Sequence, residues 1–154
     1  STYQSNVDSN SVNGDGDDMI AYCFADVEGF SKFGSYSANL NNNGPFVFLG
    51  FKPAFIMVKN IDTDARNWTI LDDKRFGVGS SERPNPVLSQ LVANSTAAEF
   101  DSASYPLIDI LSNGFKVRTG TDDAGVARNL NRDSGDTVIY MAFASAPFKY
   151  SNSF

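Results

Sequence analysis

No stretch of this chain keeps a 3.6-residue apolar period. Its apolar residues fall instead into short runs rich in Phe, Tyr, Ile and Val, each closed by Asn, Gly, Pro or Asp. That pattern predicts aromatic strands joined by polar turns rather than amphipathic helices. The thirteen Phe, six Tyr and twelve Gly agree with it. An apolar fraction of 42% is enough for a packed interior, and 154 residues suit one domain with a single core. The expected fold is all-β: a jelly-roll-like antiparallel sandwich, with an N-terminal arm over residues 1–30 and the sandwich domain over 31–154.

Strands are expected at Met19–Ala25, Lys32–Ser37, Phe46–Phe51, Ala54–Lys59, Asn67–Leu71, Leu107–Leu111, Phe115–Thr119 and Thr137–Ala144. Ser112-Asn113-Gly114 between two apolar runs is a hairpin signal. Residues 76–106, with Pro84, Pro86 and Pro106, read as a long central loop with a short helical turn at Val87–Val92, and residues 120–136 as a polar loop. Alternation in the two most apolar strands puts Phe55, Met57, Ile139, Met141 and Phe143 on one face, expected to be the buried one. Ile56, Val58 and Tyr140 point the other way.

Charge is uneven. Asp8, Asp15, Asp17, Asp18, Asp26 and Glu28 put six acids and no base in residues 1–30, so the net charge of −6 belongs to the arm. An acidic arm and a balanced remainder offer no basic stripe, which argues against nucleic acid as a partner. No run approaches the roughly 18 apolar residues of a membrane span, and no basic-then-apolar signal opens the sequence, which is expected to be soluble as given. The first residue is Ser, which fits processing or a longer parent chain. The arm contains an echo. Shifted by 119 residues, Gly16–Ala25 matches Gly135–Ala144 at five of ten positions, so Met19–Ala25 reads as a copy of the closing strand.

Chemistry is constrained by what is missing. A lone cysteine, Cys23, allows no intrachain disulfide, and its apolar run predicts a buried thiol. Without histidine, Ser-His-Asp and Cys-His nucleophiles and histidine zinc sites are excluded. Asn13–Asp18 resembles a calcium loop, but the twelfth residue from Asn13 is Phe24 rather than the Glu an EF-hand needs. Asp122-Asp123 and Asp133–Asp136 read as turn residues. The adjacent pairs Asp72-Asp73 and Asp122-Asp123 would point to opposite faces of a strand and could not flank one sugar bond. No catalytic, cofactor-binding or metal-binding residue is assigned, and no cofactor is expected.

Four runs carry a family resemblance: Gly50–Lys59, Asn67–Asp72, Leu111–Lys116 and Thr137–Ala144. In this order they resemble an uncharacterised C-terminal module of virion proteins of tailed phages, often marine, that is frequently associated with concanavalin-like lectin domains. The likeness covers about residues 16–150; residues 1–15 match nothing in it. The resemblance implies a non-enzymatic structural component of a phage particle, a decoration, tail or fibre module located in the virion. Its partners would be copies of itself, as in a fibre trimer, and neighbouring virion proteins. The arm and the 76–106 segment are expected to order against those neighbours. The alternative is a lectin-like module that binds a host-surface glycan through an exposed aromatic ringed by polar loops.

Overall fold

The computed structural model describes residues 18, 20–75, 85–101, 106–120 and 129–146. Among these, nine strands form two sheets: β1 (Ser31–Ser37), β2 (Phe46–Phe48), β3 (Pro53–Asn60), β4 (Thr69–Asp72), β5 (Ser89–Val92), β6 (Phe100–Asp101), β7 (Ile108–Leu111), β8 (Gly114–Val117) and β9 (Thr137–Ala144). The larger sheet runs β1-β9-β3-β4-β5-β6 and the smaller β2-β8-β7, with every pairing antiparallel. The all-β antiparallel sandwich expected from the sequence is the observed fold, divided six strands against three. The last strand lies between the first and the third, so the most strand-like segment of the sequence is an interior strand of the larger sheet.

The core fills the space between the sheets. From the larger sheet come Tyr36, Ile56, Val58, Leu71, Val138, Tyr140 and Ala142, and from the smaller Val47, Ile108, Ile110, Phe115 and Val117, all buried. Phe115 is the hinge of this packing: its ring meets Tyr36 at 6.1 Å and Tyr140 at 5.9 Å, both edge to face. Burying a side chain of that size contributes about 2–3 kcal/mol. The buried Tyr36 hydroxyl donates to the Leu130 carbonyl at 2.9 Å, which satisfies its one polar atom. Burial pushes that phenol well above the ordinary tyrosine range.

The two faces of β3 and β9 are assigned the opposite way from the sequence expectation. Ile56, Val58 and Tyr140 point inward and are buried, whereas Phe55, Met57, Ile139, Met141 and Phe143 lie on the outer face and are only partly covered. Period-2 alternation separates the two sets without saying which is the core when both are apolar. Packing decides it: the gap between sheets is already occupied by the rings of Tyr36, Phe115 and Tyr140. The remaining inward positions therefore take compact Ile56, Val58, Val138 and Ala142, and the bulkier Phe and Met go outside.

Four other segments differ from the sequence reading. Val87–Val92 is not helical: Val87 bridges Ile108, and β5 pairs with β4 and β6, so the expected loop contains two strands of the larger sheet, with residues 93–99 turning between them. Residues 76–84 and 102–105 of that segment lie outside the described residues. Asn129, Leu130 and Asn131, expected in a polar loop, are buried, and the Asn131 side chain reaches the Asn41 and Thr119 carbonyls at 2.9 Å each. Strand β2 stops at Phe48 because Gly50 turns at φ 83° and Leu49 and Gly50 donate to the Asn113 carbonyl. Finally, residues 20–25 form no strand in the single chain, and Cys23 is exposed rather than buried; Met19 lies outside the described residues.

Candidate functional site

Because opposed residues of antiparallel strands share a face, the register of the larger sheet can be read straight across. Phe33 faces Met141, Met141 faces Met57, Met57 faces Ile70, and Ile70 faces Leu91. This is an unbroken apolar row over five strands on the outer face, each member partly exposed. A second row sets Phe143 beside Phe55. The Phe143 ring sits at the centre of an aromatic cluster, 5.9–6.0 Å from Phe24, Phe30, Phe33 and Phe55. An antiparallel sheet with one solvated face ordinarily alternates apolar-in with polar-out, and this one carries a continuous apolar row on its outer face as well, bordered by Ser31 and Asp72 on one side and by Ser35 and Lys59 on the other.

The arm arrives on the same face. Val27 and Ser31 exchange backbone hydrogen bonds across a tight turn, which would start a hairpin with β1. The ladder goes no further, because the Asp26 carboxylate, rather than a backbone carbonyl, accepts the Phe33 N–H at 2.8 Å. The Ser31 hydroxyl then donates to the Ala25 carbonyl at 2.9 Å. Freed from the ladder, Phe24 swings over the outer face and stacks on Phe33 at 5.8 Å. Ile20 and Tyr22 before it are 82% and 81% exposed, far more than apolar side chains of that size normally are. Beyond Ser31, the outer edge of β1 carries no strand among the described residues.

The acidic pairs singled out in the sequence do not converge on a common site. Asp72 is held by Arg75 at 2.6 Å, and Arg75 also reaches Glu99 at 2.5 Å; Asp73 is buried beside the Lys74 ammonium at 3.4 Å. Asp133 pairs with Arg66 at 3.3 Å, while Asp136 accepts from Asn60 at 2.8 Å and Thr63 at 2.7 Å. Those two hydrogen bonds, in that order, hold the Asp136 carboxyl below its ordinary range, with Arg66 adding a smaller charge effect. Asp122, Asp123 and all of Asn13–Asp18 except the exposed Asp18 lie outside the described residues. Among the described residues no three His, Cys, Asp or Glu side chains come together to hold a metal ion.

One feature escaped the sequence reading. Phe46 and Phe48 project from β2 with 47% and 57% exposure, and Phe48 borders a cleft between the start of β1 and residues 48–51. The only sequence signal was the Phe-Val-Phe alternation, which marks a strand without saying that its aromatic side faces solvent.

No curated protein and no solved structure shows significant similarity to the chain. A family model does match, over residues 1–147 and so across the arm and nearly all of the sandwich: the chain belongs to the family of the domain of unknown function DUF7483.

Proposed function

We propose that the chain is a non-enzymatic structural module of a tailed-phage particle, working by packing the outer face of its larger sheet against neighbouring copies. The observation that carries this is the apolar row Phe33–Met141–Met57–Ile70–Leu91, flanked by the Phe143 cluster that includes Phe24 of the arm. Contiguous exposed apolar surface mixed with aromatic and Met side chains is the composition of the centre of a subunit interface. The edge of β1 beyond Ser31 and residues 20–25, which form no strand among the described residues, supply backbone groups that a neighbour can satisfy. The phage setting draws on the resemblance of the Gly50–Lys59, Asn67–Asp72, Leu111–Lys116 and Thr137–Ala144 runs to the virion module. A closed homo-oligomer, such as a fibre trimer, would bury one such face per copy.

The test is native mass spectrometry and light scattering across a wide range of protein concentration. The wild-type chain is expected to form a defined homo-oligomer, and Met57→Glu to be monomeric with an unchanged β circular dichroism spectrum. A wild-type chain that stays monomeric throughout, or a Met57→Glu chain that keeps the oligomer, refutes the reading. Mass spectrometry of purified particles tests the setting: the chain should be a stoichiometric component. The alternative reading, a module binding a host-surface glycan, draws on a different part of the molecule, the cleft at Phe48.

A further inference from the structure

The edge strands of the two sheets, β1 and β2, leave a cleft of about 540 Å³ at one flank of the sandwich, within the usual range of roughly 300–1,000 Å³ for small-ligand sites. One wall is the turn from Asp26 to Gly29 with Ser31 and Lys32; the other is Phe48 to Phe51. The Lys32 side chain spans the opening and places its ammonium 5.4 Å from the centre of the Phe48 ring. Asp26 is fixed in place by the Phe33 N–H, which one of its carboxylate oxygens accepts at 2.8 Å. Glu28 stands exposed at the tip of the turn.

We propose that this cleft binds one pyranose ring of a neutral saccharide. The wall offers an exposed aromatic face beside two carboxylates and one ammonium, which matches a sugar ring: C–H groups on one face, hydroxyls that donate and accept around its rim. Charge selects among ligands. With Asp26 and Glu28 against Lys32, the cleft is net negative, so uronic, sialic or phosphorylated sugars are repelled. A cationic ligand would have to compete with Lys32 for the Phe48 face. A neutral polyol must also move that ammonium off the ring face, but unlike a cation it can then accept a hydrogen bond from it. Phe48 stacks on the ring, Lys32 donates to a hydroxyl, and the two carboxylates accept from its neighbours. No residue of the apolar row on the outer face lines the cleft, so repeating the titration on the monomeric Met57→Glu chain separates failure of this site from failure of the assembly reading.

The experiment is a titration of the isotopically labelled full chain with the methyl glycosides of glucose, galactose, mannose and N-acetylglucosamine, followed by amide shifts in nuclear magnetic resonance spectra. At least one glycoside is expected to shift Gly29, Lys32 and Gly50 together. Phe48→Ala should weaken that binding about tenfold, the worth of one aromatic contact, and Phe48→Tyr should retain it. Phe48 is 57% exposed, so both variants are expected to fold, and the undisturbed remainder of the spectrum checks this. The proposal fails if all four glycosides leave these amides unmoved, if the shifts centre elsewhere, or if Phe48→Ala binds as well as the wild type. It also fails if glucuronate binds more tightly than the glucoside, since that reverses the charge argument.

Discussion

At Gly114 an added Cβ would lie 2.0 Å from the Val47 carbonyl oxygen, with backbone rather than a movable side chain in the way. Strands β2 and β8 approach that closely because Phe48 sits opposite Gly114 in the register. Gly114→Ala should therefore destabilise the chain by about 1–3 kcal/mol through overpacking, read as a lower urea midpoint with an unchanged slope. Asp136 gives a residue-scale pH dependence. Its carboxyl is held below the ordinary range by Asn60 and Thr63, so the folded state favours the ionised form. Stability from this group is fully present above the unfolded aspartate value, about 3.9, and is lost as pH falls through the lower folded value. Thermal melts should therefore show a loss of stability on acidification below about pH 4 that is smaller in Asp136→Asn. Equal losses in the two proteins would mean that other carboxylates account for the transition.

At the scale of elements, the strands were legible where apolar runs end at turn residues. Lys32–Ser37, Ala54–Lys59, Leu107–Leu111 and Thr137–Ala144 each fall within a residue or so of an observed strand, although Pro53 and Asn60, the turn residues that bound the second run, are themselves paired in β3. Strand β5 was not legible. Pro84 and Pro86 on one side and a polar Ser89-Gln90 start conceal a segment whose pairing comes from distant β4 and β6. The arm was misread for the converse reason: residues 20–25 have strand composition, but Asp26 takes the Phe33 N–H that the next rung would need. Cys23 reports on this element directly. In the dissociated Met57→Glu chain it should react with a thiol reagent about as fast as in denaturant, since it is exposed and outside any strand. In the wild-type oligomer it should react at least tenfold more slowly, if the arm is covered there. Slow reaction in the monomer would show that the arm folds onto its own chain in solution.

For the molecule as a whole, the arrangement separates two kinds of apolar surface that the sequence alone presents as one. Phe115, with no exposure, joins the two sheets through Tyr36 and Tyr140; Phe143, partly exposed, meets Phe24, Phe30, Phe33 and Phe55 on the outer side. The candidate surface was legible to the extent that the alternation grouped Phe55, Met57, Ile139, Met141 and Phe143. Its exposure was not, because that depends on rings contributed by β1 and β8, distant in sequence. The two phenylalanines should therefore fail differently. Phe115→Ala leaves a void between the sheets and should cost about 3–5 kcal/mol at every protein concentration, because the loss lies inside one chain. Phe143→Ala removes a side chain already part-wetted, and should cost the isolated chain less than half as much, about 1–2 kcal/mol. Its larger effect belongs to association: the concentration at which the oligomer dissociates should rise tenfold or more, the usual signature of a central aromatic anchor. Denaturant midpoints on the monomeric Met57→Glu background measure the first quantity, and light scattering against concentration measures the second. If Phe143→Ala lowers the monomer midpoint as much as Phe115→Ala and leaves the dissociation concentration unchanged, the outer face is a second core and not an interface.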